Sequence, residues 1–566
     1  MDEAGASTSP RLRIGLLVDS ERASKYILDF VNWAQTQQDL LTVTHLILHP
    51  KGAGADKANI LAKLAVALRS GRLYRVLSNA LFHLVVKIDN VLLSRNSRHR
   101  DHLECFDLSH LVAGRIIIEP IVSKSGLVYR FSAADIDKIK AVGFDLLIRC
   151  GSGILRGDIL NAAKFGVVSF HHGDNRINRG GPAGFWEVYF RQDTTGFIIQ
   201  RLTEELDGGD VLFRGHVATS YHYLLNQAVV FERSNFYLKS LIGKIAHSGQ
   251  LPEIIPSVPY SNRLFRTPTA FQSCIYLIAL FAQLAGRLIR NFFEIHHRWH
   301  VGYVYSDWRS AVLRHNMQLK NPPWRYLADP FVVSRGNQAF CFVEDFDFRT
   351  RKGNIAVYEL TRAGGVLIGT ALEEKFHLSF PYIFEYQNEL YMCPESASNR
   401  DIRLYKCVEF PLRWQLVKVM MEDLSAADTM LFEKNGKWWI FTNTDSARHS
   451  DYCLELSIFH SDSLFSDRWV PHARNPILVD AARARNAGLV RDGDSLFRIS
   501  QGQGFDLYGK TALINEITEL TESNYTETII SANTAGFSAG VIGTHHMHSD
   551  GNITVFDFVT NSRIKS

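Results

Sequence analysis

The sequence predicts two folded parts, an α/β domain with a Rossmann-like parallel sheet and, after it, an all-β domain. In the first part, short apolar strands at 13–19, 43–49 and 144–150 alternate with helical stretches such as 132–142, the pattern of a parallel sheet covered by helices. From residue 324, strands and turns recur at roughly 45–60-residue spacing. The copies lie at 328–345, 379–396, 426–444, 486–501 and 538–558. Five such hairpin-centred repeats predict a five-bladed β-propeller.

The changes in composition along the chain set the expected boundaries. A disordered lead-in is predicted at 1–10, followed by the α/β domain at 11–258 with a helical insert at about 54–110. The basic residues of that insert also fit a solvated charged face. A helical connector is predicted at 259–320 and the propeller at 321–566.

Charge and cysteine content narrow the class of protein. The net charge of +4 argues against a dedicated nucleic-acid binder. The seven cysteines are scattered and form no C-x-x-C pair, which favours a reducing compartment and predicts no structural zinc. The polar start of the sequence lacks the basic-then-apolar pattern of a secretory signal. We therefore expect a cytoplasmic protein.

One stretch of the connector is unusually apolar. No charged residue lies between Arg266 and Arg287, a length close to that of a bilayer-spanning helix. The basic and aromatic continuation to Trp299 is typical of a helix that lies on a membrane surface. Three interpretations remain: a helix packed between domains, a peripheral membrane contact through 271–299, or a true span.

The region 166–212 carries the clearest constellation of chemical groups. The predicted strand 166–170 ends at His171, and the predicted strand 196–202 is followed by a turn that contains Asp207. Loops after strand ends are where α/β sheets place their chemistry. The turn after the first strand lacks G-x-G-x-x-G, so a dinucleotide bound in Rossmann fashion is not expected.

Two blocks in this region, SFHHGDNRINRGGPAGFWEV and TGFIIQRLTEELDGGDVL, resemble the formyltransferases that use 10-formyltetrahydrofolate. Aligning Arg179-Gly180 with the R-G of that family places His171 on its catalytic histidine and Asp207 on its catalytic aspartate. The resemblance implies a formyltransferase-like α/β fold and transfer of a formyl group from 10-formyltetrahydrofolate to an amine. The acceptor would be a small molecule, such as an amino sugar or a glycolipid precursor.

The resemblance also implies roles for further residues. His171 would polarise the formyl group and Asp207 would draw off the proton of the amine. Ser169 stands where the family has a catalytic asparagine, and its shorter hydroxyl puts the reaction in doubt. A related one-carbon or acyl transfer, a hydrolysis, and a site without activity are therefore alternatives. The residues that the resemblance places at the cofactor are Cys150, Gly151, Ser152, Gly153, Ile154 and Gly209.

A second constellation lies in the propeller. Acidic residues recur at the start or the end of the repeated hairpins: Asp329, Glu344, Asp345, Glu395 and Asp428. Paired carboxylates are what glycosidic chemistry requires, and furanosidase-type propellers use inward-facing acids of this kind. Glycan binding, glycosidic hydrolysis or transfer, and a purely structural capping of strands are the three interpretations. The histidines at 545, 546 and 548 are expected to be loop residues rather than metal ligands.

The propeller segment also resembles the N-terminal region of glucosamine inositolphosphorylceramide transferases, through RYLADPFVV, FVEDF and GNIAVYEL. That region is not itself the recognised glycosyltransferase catalytic domain of the family. The resemblance supports the alternative to formyl transfer, in which a propeller acts on or binds a glycan beside an altered formyltransferase-like domain. A third hypothesis is a non-catalytic module at a membrane surface.

Overall fold

The computed structural model describes residues 11–50 and 73–564. The predicted lead-in at 1–10 and the part of the helical insert before residue 73 lie outside the described residues. The chain divides into two compact units, Met1–Gly215 with Thr219–Phe281, and His216–Ala218 with Ala282–Ser566.

The first unit is built on a seven-stranded sheet. Its strands, in chain order, are β1 (Leu12–Val18), β2 (Leu41–Leu48), β3 (Gly114–Ile117), β4 (Leu146–Arg149), β5 (Val167–His171), β6 (Thr194–Arg201) and β7 (Asp210–Ala218). The order across the sheet is β7-β6-β5-β4-β1-β2-β3. The five strands from β5 to β3 pair in parallel, and β6 runs antiparallel to β5. The predicted α/β domain with a largely parallel sheet is therefore confirmed.

Seven helices are described. They are α1 (Lys25–Thr36), α2 (Leu73–Leu92), α3 (Ser97–Leu103), α4 (Ala133–Val142), α5 (Phe185–Tyr189), α6 (Tyr223–Ser248) and α7 (Ala270–Phe292). Single turns of 3₁₀ helix add Asp158–Asn161, Leu313–His315, Ala397–Asn399 and Ala535–Phe537. Ser132 caps α4 by accepting the backbone N–H of Asp135.

Short strands surround the main sheet. Arg22–Ser24 pairs with Cys105–Asp107, and Arg179–Gly180 pairs with Leu264–Phe265. A small three-stranded sheet contains Ile121–Val122, Val128–Arg130 and Ile154–Leu155. The strand Arg22–Ser24 directly precedes the first helix, which begins after Ser24.

The second unit contains five antiparallel sheets, which we call blades 1 to 5. Blade 1 is Arg325–Arg335, Gln338–Asp347, Lys352–Thr361 and Gly364–Leu372; blade 2 is Ser379–Tyr386, Glu389–Glu395, Asp401–Glu409 and Arg413–Glu422. Blade 3 is Ala426–Lys434, Lys437–Thr444, Glu455–Ser461, Val470–Pro471 and Leu478–Val479; blade 4 is Arg485–Asp492, Ser495–Gly504, Leu507–Leu520 and Tyr525–Thr534. Blade 5 is Ile295–Val304, Met317–Gln318, Val541–Gly543, Met547–Ser549 and Thr554–Arg563.

The first strands of blades 1 to 4 and Met547–Ser549 of blade 5 contact one another in a closed ring. We call these five the inner strands, and their arrangement is that of a five-bladed propeller. Blade 5 joins Ile295–Val304, which precedes blade 1, to Thr554–Arg563, which follows blade 4. The connector predicted at 259–320 thus holds α7 but also supplies two strands of the propeller, Ile295–Val304 and Met317–Gln318.

Large apolar side chains fill the space between neighbouring blades. Phe331, Phe380, Met430 and Phe441 are fully buried in one cluster that joins blades 1 to 4. Burying a side chain of this size stabilises a fold by about 1.5–3 kcal/mol. The ring is therefore a packed scaffold on which polar residues at the inner-strand ends can be held in place.

Candidate functional site

The inner strands share one irregularity, a β-bulge at equivalent positions. The pairing register shifts after Ala328, Ser379, Ala427 and Asn486 in blades 1 to 4. Asp329, Phe380 and Asp428, the residues that follow the first three, all have positive φ, between 43° and 50°. Bulges redirect side chains and are frequent beside active sites. In this protein they place Asp329 and Asp428 at the same level of the ring.

The second strands of blades 1 and 2 add two more acids at that level. Glu344 pairs with Ala328 and Glu395 pairs with Ser379, each opposite the residue before a bulge. The equivalent positions of blades 3 and 4 are Asn443 and Ser500. Four of the five acids that the sequence predicts for the propeller are thus brought into one group, which we call the carboxylate cluster (Asp329, Glu344, Glu395 and Asp428). Asp345 pairs instead with Arg325.

Arg485 is the cation of this cluster. Its Nε lies 2.6 Å from Oδ2 of Asp428, and its Nη2 lies 3.5 Å from Oε2 of Glu395. The Tyr508 ring lies beside the guanidinium, with 5.4 Å between the ring centroid and Cζ. Tyr508 is 40% exposed, whereas the side chains of Glu395 and Arg485 are 11% and 14% exposed. Solvent therefore reaches the edge of the cluster, at Tyr508, while the charged groups at its centre are largely buried.

His545 and Asp557 complete the site on the side of blade 5. His545 Nδ1 lies 2.7 Å from Oδ1 of Asp557, and its Nε2 lies 3.5 Å from Oδ1 of Asp329. Burial opposes the charged imidazole, but the carboxylates of Asp557 and Asp329 raise the pKa of His545. The Trp299 ring covers His545, with centroids 3.9 Å apart. His545 lies in the predicted loop, between Val541–Gly543 and Met547–Ser549, whereas His548 belongs to the second of these strands. The contacts of His545 nevertheless make it a member of the site.

Burial and mutual repulsion hold protons on the carboxylates. Burial, with further contributions from Asp428 and Asp557, raises the pKa of Asp329 to about 7. Burial also raises the pKa values of Glu344 and Glu395 well above the usual range, and neighbouring carboxylates add to both effects. A group of close carboxylates cannot all ionise in a low-dielectric site. At neutral pH the cluster therefore contains both proton donors and proton acceptors.

Asp329, His545 and Asp557 offer ligand atoms that all lie within 4.8 Å of one another and could hold a metal ion. Protein groups already satisfy Asp557, however. Its Oδ1 accepts from the backbone N–H groups of His545 and His546 and faces His545 Nδ1, and its Oδ2 accepts from Asp329 N–H. These hydrogen bonds account for the arrangement of the three side chains.

The histidine and aspartate predicted in the first unit also lie together. His171 Nδ1 is 3.4 Å from Oδ1 of Asp207, while its Nε2 is 2.9 Å from the carbonyl oxygen of Asn178. The other carboxylate oxygen of Asp207 accepts the N–H of Gly180. Both imidazole nitrogens and both carboxylate oxygens therefore face protein groups.

Ser169, predicted to be catalytic, and most of the residues predicted to bind a cofactor make contacts within the protein. Ser169 donates its hydroxyl to the carbonyl of Phe170 and accepts a hydrogen bond from Arg149. Ser152 contacts Asp19, Ile154 pairs with Leu127, and Gly209 lies against the backbone of Arg201, where a Cβ would not fit. Cys150 and Gly151 line a cavity, and burial raises the pKa of the Cys150 thiol to about 12. That thiol stays protonated and is a poor nucleophile.

The fold and the cluster define the second unit as a five-bladed propeller with a buried acid group at the ends of its inner strands. Residues 312–545 match the family model described as glucosamine inositolphosphorylceramide transferase 1, N-terminal. The proteins of that name from Oryza sativa subsp. japonica and Arabidopsis thaliana are 36% and 34% identical over 212 and 211 residues. Each match covers 36% of this chain, but only 28% of the rice protein and 27% of the Arabidopsis protein. The resemblance predicted for the propeller is confirmed.

Solved structures show only distant similarity. The catalytic domain of a GH62 α-L-arabinofuranosidase from Coprinopsis cinerea is 12% identical, with a TM-score of 0.34, and the match covers 47% of this chain and 97% of that domain. Glycinamide ribonucleotide transformylase 1 from Symbiobacterium toebii is 16% identical, with a TM-score of 0.27, covering 43% and 94%. Similarities at these TM-scores carry no argument about function. The formyltransferase-like fold of the first unit stays a prediction.

The prediction of formyl transfer is wrong. The family model and the curated relatives are named for glucosamine inositolphosphorylceramide transfer, not for one-carbon chemistry. The predicted 10-formyltetrahydrofolate co-substrate and amine acceptor are therefore wrong as well. The assignment of His171, Asp207 and Ser169 as site residues stays a prediction.

Sequence reasoning missed several members of the propeller site, chiefly Arg485, Tyr508 and Asp557. Arg485 stands directly before the fourth repeat copy, at the start of an inner strand, so the register of the repeats held a signal for it. Asp557 lies within the fifth copy, 538–558, and Tyr508 lies outside the copies. Only the closed ring brings them to the cluster.

Proposed function

We propose that the five-bladed unit acts on a glycan, the sugar headgroup of a glycolipid, at the carboxylate cluster. The observation that carries this proposal is the group of four acids around Arg485 on bulged inner strands. The match of residues 312–545 to a family named for a glycosylated inositolphosphorylceramide supports the choice of substrate. Because the chain spans about a quarter of its curated relatives, the transferase activity in their names is here a proposal.

The cluster has the two kinds of carboxyl group that reaction at a glycosidic bond requires, one protonated and one ionised. Glu395 keeps its proton at neutral pH because burial and Asp428 raise its pKa, so it can protonate the glycosidic oxygen as the bond breaks. Asp329, with a pKa of about 7, can accept the proton of the incoming water or sugar hydroxyl. The leaving sugar departs as an alcohol and the proton count balances.

Recognition of the sugar would use the same residues. Sugar hydroxyl groups need both donors and acceptors, which Arg485 and the carboxylates provide. The exposed face of Tyr508 offers an apolar surface beside them. A second depression, of about 950 Å³, lies at the opposite ends of the inner strands and includes Trp438 and Arg491 but none of the four acids. Because this depression is separate from the carboxylate cluster, it serves as the alternative binding site in the test below.

Calorimetry with the full chain and the water-soluble oligosaccharide released from a glycosylated inositolphosphorylceramide tests the proposal. Asp428→Asn should weaken binding by about 10- to 100-fold, since a hydrogen bond to a charged group is lost. Glu395→Gln should retain binding but slow any cleavage or transfer of the sugar by about 100-fold or more. Asp492→Asn, an exposed acid on the same inner strand as Arg485, is the matched control.

Two results would overturn the proposal. One is the absence of heat with the wild-type chain. The other is loss of binding with Arg491→Met in the second depression while Asp428→Asn binds normally.

We further propose that α7 lies on a membrane surface. By length and composition α7 could cross a membrane, and no other helix of the described residues could. One side of α7 makes polar contacts. Within the first unit, Tyr276 donates a hydrogen bond to Asp89. Within the second unit, Gln283 and Arg287 donate to Asp506. A crossing helix would lose these bonds, so a surface position fits better.

The opposite side of α7 is apolar and exposed. Its largest exposed side chains are Phe271, Ile278, Phe281, Leu288, Ile289 and Phe292, each between 51% and 82% accessible. This side suits the acyl boundary of a bilayer, where a glycolipid substrate would also lie. The basic residues predicted to continue the helix belong instead to blade 5, where Arg298 and Trp299 are buried. The membrane contact predicted at 271–299 is therefore limited to α7.

Sedimentation with phosphatidylcholine vesicles containing phosphatidylserine measures this contact. The double variant Ile278→Ser/Leu288→Ser should bind at least about tenfold less tightly than the wild type. Val366→Ser/Leu367→Ser, which changes two exposed apolar residues of blade 1, should bind normally. Equal binding by both double variants, or no sedimentation of the wild type, would contradict the proposal. The cytoplasmic location stays a prediction.

A further inference from the structure

The first unit contains a cavity that the proposed glycan site does not use. Its volume is about 250 Å³. It lies at the carboxyl ends of β4 and β5, and β4 borders the point where the chain order reverses between β1 and β4. In open α/β sheets, ligands bind outside the carboxyl ends of the strands at such a point. The location alone makes the cavity a candidate site.

The charge in this cavity belongs to Arg149, the last residue of β4. Its Nε and Nη2 donate to the carbonyl of Gly153, and its Nη1 donates to the hydroxyl of Ser169. A guanidinium has five N–H groups, so two are left over. Within 11–50 and 73–564, no carboxylate forms an ion pair with Arg149. The carboxylates of Asp207 and Asp19 act on Arg149 from beyond ion-pair distance, so its two remaining N–H groups are available to an anionic ligand.

A second polar side chain of the cavity also lacks a partner. Asn235 of α6 is 5% exposed and lines the cavity. Its side-chain amide makes no hydrogen bond to any part of the chain that the structure describes. Buried amides are ordinarily hydrogen-bonded. Asn235 and Arg149 therefore present unused donors to the same space.

The rest of the wall is largely aromatic. His172 stacks on Phe231, with ring centroids 3.6 Å apart and the planes within 8°. Burial, together with the nearby His171, lowers the pKa of His172 well below its usual range, so the ring is neutral and adds no positive charge. Tyr26 and Phe30 form another part of the wall. Such surfaces accept a planar or apolar body.

We propose that this cavity binds a small ligand that carries an oxyanion, a carboxylate or a phosphate monoester, on a planar or apolar body. The oxyanion would accept the two free N–H groups of Arg149 and the amide N–H of Asn235. The aromatic wall would hold the body of the ligand. The guanidinium suits both anions because its fork of donors matches their oxygen atoms.

Calorimetry on the full chain with four aromatic probes tests the proposal: benzoate, phenyl phosphate, benzyl alcohol and benzylamine. Binding of benzoate or phenyl phosphate, but not of the neutral or cationic probe, is expected, and the stronger of the two anions identifies the headgroup. Arg149→Met should weaken that binding about 10- to 100-fold, and Asn235→Leu about 3- to 10-fold. Arg156→Met, on the loop that follows the same strand and paired with Glu204, should bind as the wild type does.

Three outcomes overturn the proposal: no binding of either anion, equal binding of benzyl alcohol or benzylamine, or unchanged affinity in Asn235→Leu. The Asn235 variant leaves the hydrogen bonds of Arg149 intact, so it decides the question even where Arg149→Met does not fold. Circular dichroism of each variant verifies the fold. Because the cavity and the carboxylate cluster lie in different units, failure here leaves the glycan proposal unaffected.

Discussion

Arg485 of blade 4 holds the carboxylate of Asp428 on blade 3, with 2.6 Å between Nε and Oδ2. The same guanidinium reaches Glu395 on blade 2 at 3.5 Å. One side chain therefore links three blades and offsets part of the negative charge in the ring. A buried cation with this role affects both stability and chemistry.

Replacing Arg485 should destabilise the propeller strongly. Arg485→Met leaves Asp428 and Glu395 buried without a cation, a loss of about 3–5 kcal/mol in the free energy of unfolding. Denaturant unfolding of the full chain, followed by tryptophan fluorescence, measures the change. Arg335→Met removes an exposed pair with Glu385 and should cost less than about 1 kcal/mol. Equal effects of the two variants would show that the Arg485 contacts contribute little.

The raised pKa of Asp329 makes the stability of the propeller depend on pH. The folded pKa is about 7 against an unfolded value of 3.8, so the folded state binds the additional proton between these values. The stability that Asp329 contributes should therefore be fully present below about pH 4 and be lost as pH rises to about 7, by an amount on the order of 4 kcal/mol. Asp329→Asn should flatten this part of the profile, as measured by unfolding at a series of pH values.

Asp347, at the end of the same hairpin, makes folding stability depend on pH in the opposite direction. Its hydrogen bond with Arg349 lowers the pKa of Asp347 to about 2. The stability it contributes is present above about pH 3.8 and is lost as pH falls towards 2. Asp347→Asn should therefore change the acid end of the profile and leave the interval from 4 to 7 as it is. A profile between pH 4 and 7 that is unchanged by Asp329→Asn would contradict the assignment.

Gly488 marks a close approach between blades 4 and 5. It has a φ of 124°, and a Cβ at this position would collide with the carbonyl oxygen of Met547. Gly488→Ala should therefore cost more than about 2 kcal/mol, through strain and displacement of the inner strand. Gly493→Ala, at a turn with positive φ and open space, should cost about 1 kcal/mol. Thermal unfolding of the two variants separates backbone strain from the collision.

The ion pair of Arg498 and Glu527 should be essential to blade 4. Their side chains are 0% and 3% exposed, and 2.6 Å separates Nη2 from Oε1. Arg498→Met alone should lower the free energy of unfolding by about 3–5 kcal/mol because Glu527 is left unpaired. The double variant Arg498→Met/Glu527→Leu should recover most of that loss. A double-mutant cycle by denaturant unfolding measures the coupling, and additive effects would contradict it.

The sequence allowed the hairpins of the propeller to be predicted because each is local. Alternating apolar residues and a turn identify the first two strands of each blade, and Asp329 and Asp428 follow from their equivalent positions in the copies. The bulges could not be predicted, because a shift of register depends on the partner strand. Arg485 was missed because its contact with Asp428 joins residues 57 positions apart on different blades.

In the first unit, the strands were predicted well and the chemistry was not. Apolar runs identify β1, β2, β4 and β5 whatever their neighbours are. The role of Ser169 depends instead on Arg149, whose guanidinium takes the position beside its hydroxyl. A resemblance carried by His171 and Asp207 gave no sign of that contact. The local pattern thus predicts elements, while the site depends on side chains that meet only after folding.

The ring of the propeller can close only when Ile295–Val304 pairs with Thr554–Arg563. His300 and Thr560, 260 positions apart, lie side by side in this blade, and joining such distant segments carries a large entropic cost of loop closure. During synthesis, blades 1 to 4 would emerge as an open array with unpaired strand edges, which are prone to aggregate. The strand Thr554–Arg563 pairs with Ile295–Val304 and closes that array into a ring. Assembly of the carboxylate cluster, which needs His545 and Asp557, is therefore coupled to the final step of folding.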